Sequence, residues 1–186
     1  VVQVVRSLIL ILQDGMSIHR DLLYDKLSTE LVVVEAYVSI QSYRYKNKFT
    51  LSCEAQPETL EWYVPKNILQ PLVENAVFHG ILPKGEPGKV TVCATVQGEL
   101  LRLCVQDDGV GMPPDVLCAL QEGRYDGESA QSSGVHKIAL ANIAERLEFL
   151  YPGQHTFRID SAVGRGTTFV IELPVRREGE GLEAET

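Results

Sequence analysis

The chain has 186 residues, of which 45% are hydrophobic and 23% are charged, the proportions of an ordinary globular protein. Its formal net charge of −8 argues against broad nucleic-acid binding, which needs a basic face, but allows a local phosphate site built from backbone N–H groups. No apolar run reaches the length of a membrane span, and we expect the chain to be a piece of a longer protein. The cysteines lack metal-site spacing, which favours reduced thiols in a cytoplasmic compartment. They are Cys53, Cys93, Cys104 and Cys118.

The N-terminal part of the chain has the pattern of two apolar helices. Residues 1–12 are almost wholly apolar, so a helix there needs a partner in this chain or in a second copy. For the second helix we predict a cap at Ser28 or Thr29, with Glu30 in the first turn, where the helix dipole favours an acid. Its apolar residues recur at helical spacing: Leu27, Leu31, Val34, Val38 and Tyr45. We favour a dimerising helical segment over residues 1–46; the alternative is that both helices pack on the globular part.

Residues 65–80 have the pattern of one amphipathic helix. Pro65 suits a first helical position because its missing N–H is not needed there, and Gly80 is placed to end the helix. The apolar face has helical spacing: Ile68, Leu69, Leu72, Val73 and Ala76. Asn75 is either a buried, hydrogen-bonded amide or a magnesium ligand, since magnesium takes one or two protein oxygens and completes its shell with phosphates and water. His79, one turn further, is either structural or close to a phosphate.

The rest of the chain alternates strands with turns. We predict strands at residues 49–55, 89–96, 100–106, 156–160 and 167–173, and helices near residues 115–121 and 135–151. Residues 122–134 are rich in glycine and serine, and they form either a mobile lid or an inert surface loop. Because consecutive strands form hairpins, the order predicts an α+β fold. We expect a two-layer sandwich of a mixed, mostly antiparallel sheet with helices on one face, preceded by the helical dimerisation segment.

Two glycine motifs adjoin the predicted strands. In the first, Asp107 ends a strand and is followed by Gly109 and Gly111. The carboxylate can accept a hydrogen bond from a purine amine, and the glycines let the backbone approach a ligand closely; the alternative is a plain Asp-Gly turn. The second motif, Gly-Arg-Gly-Thr at residues 164–167, is either a hairpin turn or a device that places the Thr167 hydroxyl beside the base or Asp107.

Taken together, these motifs resemble the ATP-binding fold shared by histidine kinases, gyrase, the heat-shock chaperone ATPase and mismatch-repair ATPases. LQPLVENAVFHG, residues 69–80, resembles the signature helix of sensor histidine kinases of the LytS type. LSTELVVVEAYVSIQSYRYKNKF, residues 27–49, resembles the segment that precedes the kinase domain in that family, and ALANIAERLEFLY, residues 139–151, is similar to its late helix. The resemblance covers residues 27–174.

This resemblance implies a site for magnesium and ATP. Asn75 would hold magnesium, His79 would lie near a phosphate, and Asp107 would bind the adenine amine. The remaining residues that the resemblance places around ATP are Gly109, Gly111, Lys137, Gly164, Gly166 and Thr167. Residues 123–134 would form the ATP lid.

The chain departs from the family pattern in three places. Lys137 and Ala139 stand where the family has the glycines of G-x-G-L, so side chains would hinder backbone approach to phosphate, although Lys137 could supply a charge. Pro71 stands where hydrolytic members of the superfamily carry a general-base Glu, which favours a kinase over an ATPase. His19 does not have the context of the phosphoacceptor histidine, which in the family lies upstream of anything present here.

The resemblance implies the catalytic region of a sensor histidine kinase, a transferase of two-component signal transduction. Residues 47–175 would be the ATP-binding domain, residues 1–46 a remnant of the dimerisation and phosphotransfer region, and residues 176–186 a disordered acidic tail. Expected partners are ATP, the phosphoacceptor histidine helix of the parent protein, a response regulator and a second copy in a homodimer, without nucleic acid. The domain would face the cytoplasm, with the parent anchored in the cell membrane.

Two other functions are compatible with the same motifs. A degenerate nucleotide-fold module, with weak or no ATP binding, would act as a dimerisation or partner-binding platform, and the substitutions at Lys137 and Ala139 motivate it. A serine kinase of the anti-sigma type shares the nucleotide motifs but does not explain residues 27–49. Nucleotide affinity discriminates the platform from the kinase.

Overall fold

The computed structural model describes residues 23–123 and 135–177, with only the backbone described for residues 135–138. The strands are β1 (Tyr24–Lys26), β2 (Phe49–Ala55), β3 (Tyr63–Pro65), β4 (Gly88–Gln97), β5 (Leu100–Asp107), β6 (Thr156–Ala162) and β7 (Gly166–Pro174). The α-helices are α1 (Leu27–Arg44), α2 (Gln70–Asn75), α3 (Pro114–Gln121) and α4 (Val135–Leu150). Shorter helical turns are the 3₁₀ turns Pro57–Thr59 and Leu82–Lys84 and the π-helical turn Ala76–Ile81.

The main sheet has five strands in the order β2-β4-β5-β7-β6. Strands β2 and β4 are parallel, and the other neighbours are antiparallel. A tight turn at Gly98, with φ of 64°, joins β4 to β5, as a two-residue hairpin loop requires. The predicted mixed, mostly antiparallel sheet is therefore confirmed. Strands β1 and β3 form a separate antiparallel pair that was absent from the prediction.

Helices cover one face of this sheet. Alternate residues of the three central strands are buried against them: Val90, Val92, Ala94, Leu101, Leu103, Val105, Phe169, Ile171 and Leu173. The residues between them on β4 and β5 are partly or fully exposed, because successive side chains of a strand point to opposite faces. The two-layer α+β sandwich is confirmed.

Helix α1 belongs to the core of this domain. Most of its predicted apolar stripe is buried there, with Leu27, Leu31, Val34 and Val38 all inaccessible to solvent or nearly so. This agrees with the alternative in which the helix packs on the globular part, and the stripe is therefore not available as a dimer seam. Dimerisation through residues 1–46 stays a prediction, since residues 1–22 lie outside the described residues.

The predicted cap of α1 at Ser28 or Thr29 is wrong. Strand β1 runs directly into the helix, which begins at Leu27 after an extended Lys26. The Leu27 N–H donates to the carbonyl of Trp62 (2.8 Å) and the Ser28 N–H to that of Leu60 (3.0 Å). These distant carbonyls satisfy donors that a side-chain cap otherwise would.

The prediction of one helix over residues 65–80 is also wrong. Pro65 ends β3, where it pairs with Tyr24, and Asn67 adopts a left-handed conformation with φ of 56°. The α-helix begins only at Gln70, and Gly80 lies inside the π-helical turn instead of ending the helix. The β1–β3 pairing holds the first residues of this segment in an extended form that a helix cannot share.

Arg176 and Arg177 lie beyond the predicted domain end at residue 175 and contact the β1–β3 region. The Arg176 guanidinium lies 4.2 Å from the centre of the Tyr24 ring, and the Arg176 carbonyl accepts the Tyr63 N–H at 2.9 Å. These contacts attach the end of β7 to the β1–β3 pair. Residues 178–186 of the predicted tail lie outside the described residues.

Candidate nucleotide-binding site

Asp107 is a buried carboxylate at the end of a central strand. It is 2% exposed and lies on β5, between β4 and β7. Its Oδ1 accepts the backbone N–H of Gly109 at 2.8 Å, so the following turn holds the carboxylate in place. An acid in this position can accept a hydrogen bond from an exocyclic amine of a base.

Two glycines let the π-helical turn pack directly on the turn after β5. The Val110 N–H donates to the Gly80 carbonyl at 2.9 Å. A Cβ atom on Gly109 would overlap the backbone of Gly80, and one on Gly80 would lie 2.6 Å from the carboxyl carbon of Asp107. Glycine is therefore required at both positions for this close approach. Gly80 was missed as a site residue because the sequence suggested only a helix stop.

The turn between β6 and β7 closes the opposite side of Asp107. A Cβ on Gly166, where φ is 82°, would overlap the Asp107 carbonyl, and one on Gly111 would overlap the carbonyl of Ala162. Gly164 differs, because a Cβ there would meet open space. Its N–H donates to the carbonyl of Val110 at 2.7 Å. Gly164 is thus a turn residue, whereas Gly109, Gly111 and Gly166 are close-approach residues.

Thr167 contacts Asp107 through its backbone. Its N–H is one of the donors that lower the pKa of Asp107, whereas its hydroxyl lies 3.0 Å from the Oγ of Ser161. Ser161 also accepts the N–H of Met112 at 2.9 Å and so joins this turn to the one after β5. Sequence reasoning missed Ser161, because only the register that pairs it with Thr167 reveals its place.

Asn75 ends α2, and His79 lies one turn further along, in the π-helical turn that follows it. The Asn75 side chain is largely buried, and its Nδ2 donates to the carbonyl of Pro71 at 2.9 Å. Its Oδ1 is an amide oxygen, the type of atom that ligates magnesium. His79 is half-buried in the π-helical turn, which packs against β4, β5 and β7. Short π-helical segments inside helices occur frequently at functional sites.

The predicted phosphate side of the site lies largely outside the described residues. This holds for the Lys137 side chain and for residues 124–134 of the predicted lid, of which only Gly123 is described. In α4, Leu140 is buried and Ala139 is half-buried. The structure therefore describes the Asp107 side of the site, and the roles of Lys137 and the lid stay predictions.

Burial dominates the electrostatics of Asp107. It raises the pKa of this carboxyl from 3.8 to about 6, although the N–H groups of Gly109 and Thr167 act in the opposite direction. The neighbouring charge of Asp108 adds a smaller increase in the pKa. The ionised form is thus disfavoured in the folded domain, as for other desolvated acids.

Asp107 should make the stability of the domain depend on pH. Because its folded pKa lies above its unfolded pKa, its favourable contribution is present below about pH 4 and is lost as pH rises through about 6. Asp107→Asn should therefore unfold less readily than the parent at neutral pH, by about 2 to 3 kcal/mol. Urea unfolding of both proteins in acidic and neutral buffers measures this difference. If the difference in free energy of unfolding between the two proteins did not change with pH, the raised pKa of Asp107 would be contradicted.

The family comparison identifies the class of protein to which this fold and site belong. The family model described as "Histidine kinase-, DNA gyrase B-, and HSP90-like ATPase" matches residues 64–177, which include Asn75, Asp107 and Thr167. The chain belongs to this family of ATP-binding domains.

Among curated proteins, the similar relatives are sensor kinases. The sensor protein LytS of Bacillus subtilis is 34% identical over 157 residues, which are 84% of this chain and 26% of LytS. The sensor histidine kinase YpdA of Escherichia coli is 31% identical over 149 residues, 80% of this chain and 24% of YpdA. The resemblance to LytS-type sensor histidine kinases is confirmed, and the chain spans about a quarter of the length of these relatives.

Solved structures share the fold. The catalytic domain of histidine kinase ThkA superposes with a TM-score of 0.59 at 18% identity, covering 81% of this chain and 93% of that one. The histidine kinase domain of a blue-light activated kinase from Erythrobacter litoralis gives a TM-score of 0.56 at 18% identity, covering 93% and 73%. The architecture is therefore that of histidine kinase catalytic domains. In the described part of the chain, no helix has the length and apolar character that crossing a membrane requires.

Proposed function

We propose that this domain binds ATP with its adenine on Asp107 and transfers the γ-phosphoryl group to a histidine outside the chain. The observation that carries the proposal is the buried Asp107 carboxylate, held by the Gly109 N–H among close-packed glycine turns. Burying an acid is unfavourable, so a buried carboxylate at a strand end is a candidate for a functional group. Recognition of an adenine amine is a role that fits both its place and the family.

Asn75 fits the magnesium expected beside the phosphates. The described residues hold no cluster of three or more His, Cys, Asp or Glu side chains that could bind a metal ion. A single amide oxygen suits magnesium, which takes the rest of its shell from phosphates and water. When bound, the ion would offset the negative charge of the phosphates. The Asn75–Pro71 hydrogen bond would orient the amide for this contact.

The surroundings of Asn75 favour a transferase over a hydrolase. Pro71 occupies the position where hydrolytic members of the superfamily carry a general-base Glu, and its carbonyl accepts the Asn75 amide. A proline has no group that activates water. The chain would therefore act mainly by positioning ATP and stabilising charge, as in phosphoryl transfer generally.

The similarity to the curated relatives supports a proposal about the full-length protein and its partners. We propose that residues 1–46 continue a phosphotransfer region whose histidine accepts the phosphoryl group, and that a response regulator receives it next. The proposal includes a homodimeric parent anchored in the cell membrane, with this domain on the cytoplasmic side. Its support is the similarity to LytS and YpdA, of which the chain spans only about a quarter.

Titration calorimetry with AMPPNP, with and without magnesium, tests the proposed function. We expect micromolar binding that depends on magnesium, and Asn75→Ala should lose most of the magnesium-dependent part because it removes the amide oxygen. Gln70→Ala is the matched control: Gln70 lies on the same helix and bonds to Glu74 at 3.0 Å, so its loss should leave binding unchanged. Equal magnesium dependence in Asn75→Ala would contradict the metal assignment.

A partner-binding platform is the second candidate. The side chains at Lys137 and Ala139, in place of the family glycines, favour it because they would obstruct close backbone contact with phosphates. Absence of AMPPNP binding at millimolar concentration would support the platform. Recovery of binding in the K137G/A139G double variant would then identify these side chains as the cause.

A further inference from the structure

Glu30 accepts hydrogen bonds from a segment that lies far from it in the sequence. It lies in the first turn of α1 but is only 4% exposed. One carboxylate oxygen accepts the N–H of Asn67 at 2.5 Å, and the other accepts the N–H groups of Ile68 at 2.9 Å and Leu69 at 3.3 Å. Glu30 therefore binds the segment that leads into α2, some 37 residues away in the chain.

These three bonds fix the start of the helix that carries Asn75. The N–H groups at a helix start have no carbonyl partners within the helix. Asn67 also adopts a left-handed conformation, which an asparagine tolerates better than most residues. Burial raises the pKa of Glu30, and the three N–H donors oppose that rise by stabilising the carboxylate. The carboxylate and the turn thus depend on each other.

Arg146 connects α4 to the same cluster. Its guanidinium donates to the carbonyl of Leu23 at 3.2 Å. Burial lowers the pKa of Arg146, and the charge of Glu30 opposes this shift, so the two groups interact. Nearby, Asp25 raises the pKa of Glu30 and pairs with Lys66 at 3.4 Å. The cluster therefore joins α1, the turn before α2, and α4, the helix that follows the predicted lid.

We propose that Glu30 is a positioning residue of the nucleotide site: it attaches α2 to α1, so that the placement of α1 sets how tightly the site binds magnesium and nucleotide. This inference rests on the proposed function. Helix α1 connects residues 1–26 to the domain, so it is the element through which an upstream region would reach Asn75. The β-strands that hold Asp107 do not take part in these contacts.

Glu30→Gln tests the inference while preserving the size of the side chain. Its amide offers one acceptor oxygen and sets an N–H₂ group against backbone N–H groups, so the turn loses part of its attachment. We expect affinity for magnesium-AMPPNP to fall about tenfold, a change of about 1.4 kcal/mol. Hydrogen exchange should become faster at residues 67–69 and along α2, where a shift of the helix start is transmitted. Glu30→Asp, which keeps two acceptor oxygens on a shorter stem, should recover part of both properties.

Val38→Ala is the matched control. Val38 is buried on the same helix two turns beyond Glu30, so its truncation destabilises the domain but leaves the three bonds from residues 67–69 to Glu30 in place. Its nucleotide affinity and its exchange at those residues should match the parent. Parent-like affinity in Glu30→Gln with unchanged exchange along α2 would overturn the inference.

The outcomes separate this inference from the proposed function. If the unsubstituted domain does not bind AMPPNP, the proposed function fails. Hydrogen exchange alone then decides whether Glu30 positions α2. If Glu30→Gln does not fold, Glu30→Asp takes its place in both measurements. Parent-like exchange in that variant would overturn the inference.

Discussion

Asp107→Ala should abolish detectable binding of magnesium-AMPPNP and leave the domain folded. The variant removes the carboxylate that we place against the adenine amine, and hydrogen bonds to charged groups contribute about 1.5–3 kcal/mol each. Loss of this bond and of the oriented turn at Gly109 should weaken binding at least about a hundredfold. The fold should persist because the variant also removes the unfavourable burial of a charge. Calorimetric titration and a circular-dichroism melt measure the two effects.

Asp108→Asn is the matched control for this variant. Asp108 adjoins Asp107, but its carboxylate accepts the Lys89 N–H at 2.8 Å and lies 3.4 Å from the Lys84 ammonium on the surface. Its substitution changes the net charge without altering the buried acceptor, so binding should stay within about twofold of the parent. Parent-like binding in Asp107→Ala, or equal losses in both variants, would contradict the adenine-site assignment.

Gly109→Ala should damage both stability and nucleotide binding. The added methyl group would overlap the Cα, carbonyl carbon and carbonyl oxygen of Gly80, and neither backbone segment can rotate away as a side chain would. Separating the two segments would break the bond from Val110 to Gly80 and release the Asp107 carboxylate from its turn. We expect a loss of about 3 kcal/mol in the free energy of unfolding, at the upper end for overpacking. Urea unfolding and AMPPNP titration measure both.

Gly98→Ala separates steric overlap from the general effect of replacing a glycine. Gly98 has φ of 64° in the β4–β5 turn, and a Cβ there would meet open space. The variant should lose only about 1–2 kcal/mol, from the left-handed backbone, and should bind AMPPNP like the parent. If Gly109→Ala were no less stable than Gly98→Ala, the close contact between Gly109 and Gly80 would not hold in solution.

Sequence analysis predicted correctly those strands and turns whose pattern lies within a short segment of the chain. Runs of strand-forming residues separated by turn residues predicted β4, β5 and β7, and all three strands are present. The predicted strands at residues 89–96 and 100–106 left room only for a short turn, in which Gly98 supplies the positive φ that a tight turn needs. Asp107 was singled out because a strand, an acid and two spaced glycines are contiguous in the chain. The fold class was therefore readable from short segments, and the adenine-binding role of Asp107 stays a prediction.

Where residues distant in the chain meet, the local pattern was misleading. Residues 65–80 have a helical period, yet pairing with β1 and the N–H groups that donate to Glu30 hold the first five residues in a non-helical form. The stripe of α1 favoured a dimer seam over a domain core, yet the structure buries it in the core, because a pattern of apolar residues does not say what buries them.

The sequence by itself thus determined the strands of the main sheet and singled out the Asp107 carboxylate, because these features depend on neighbouring residues. Only the tertiary structure decided that Gly80 must lack a side chain, that Ser161 joins Thr167, and that Glu30 holds the start of α2. These features depend on strand register and on contacts between separate elements. Such contacts exist only once the helices have packed on the sheet.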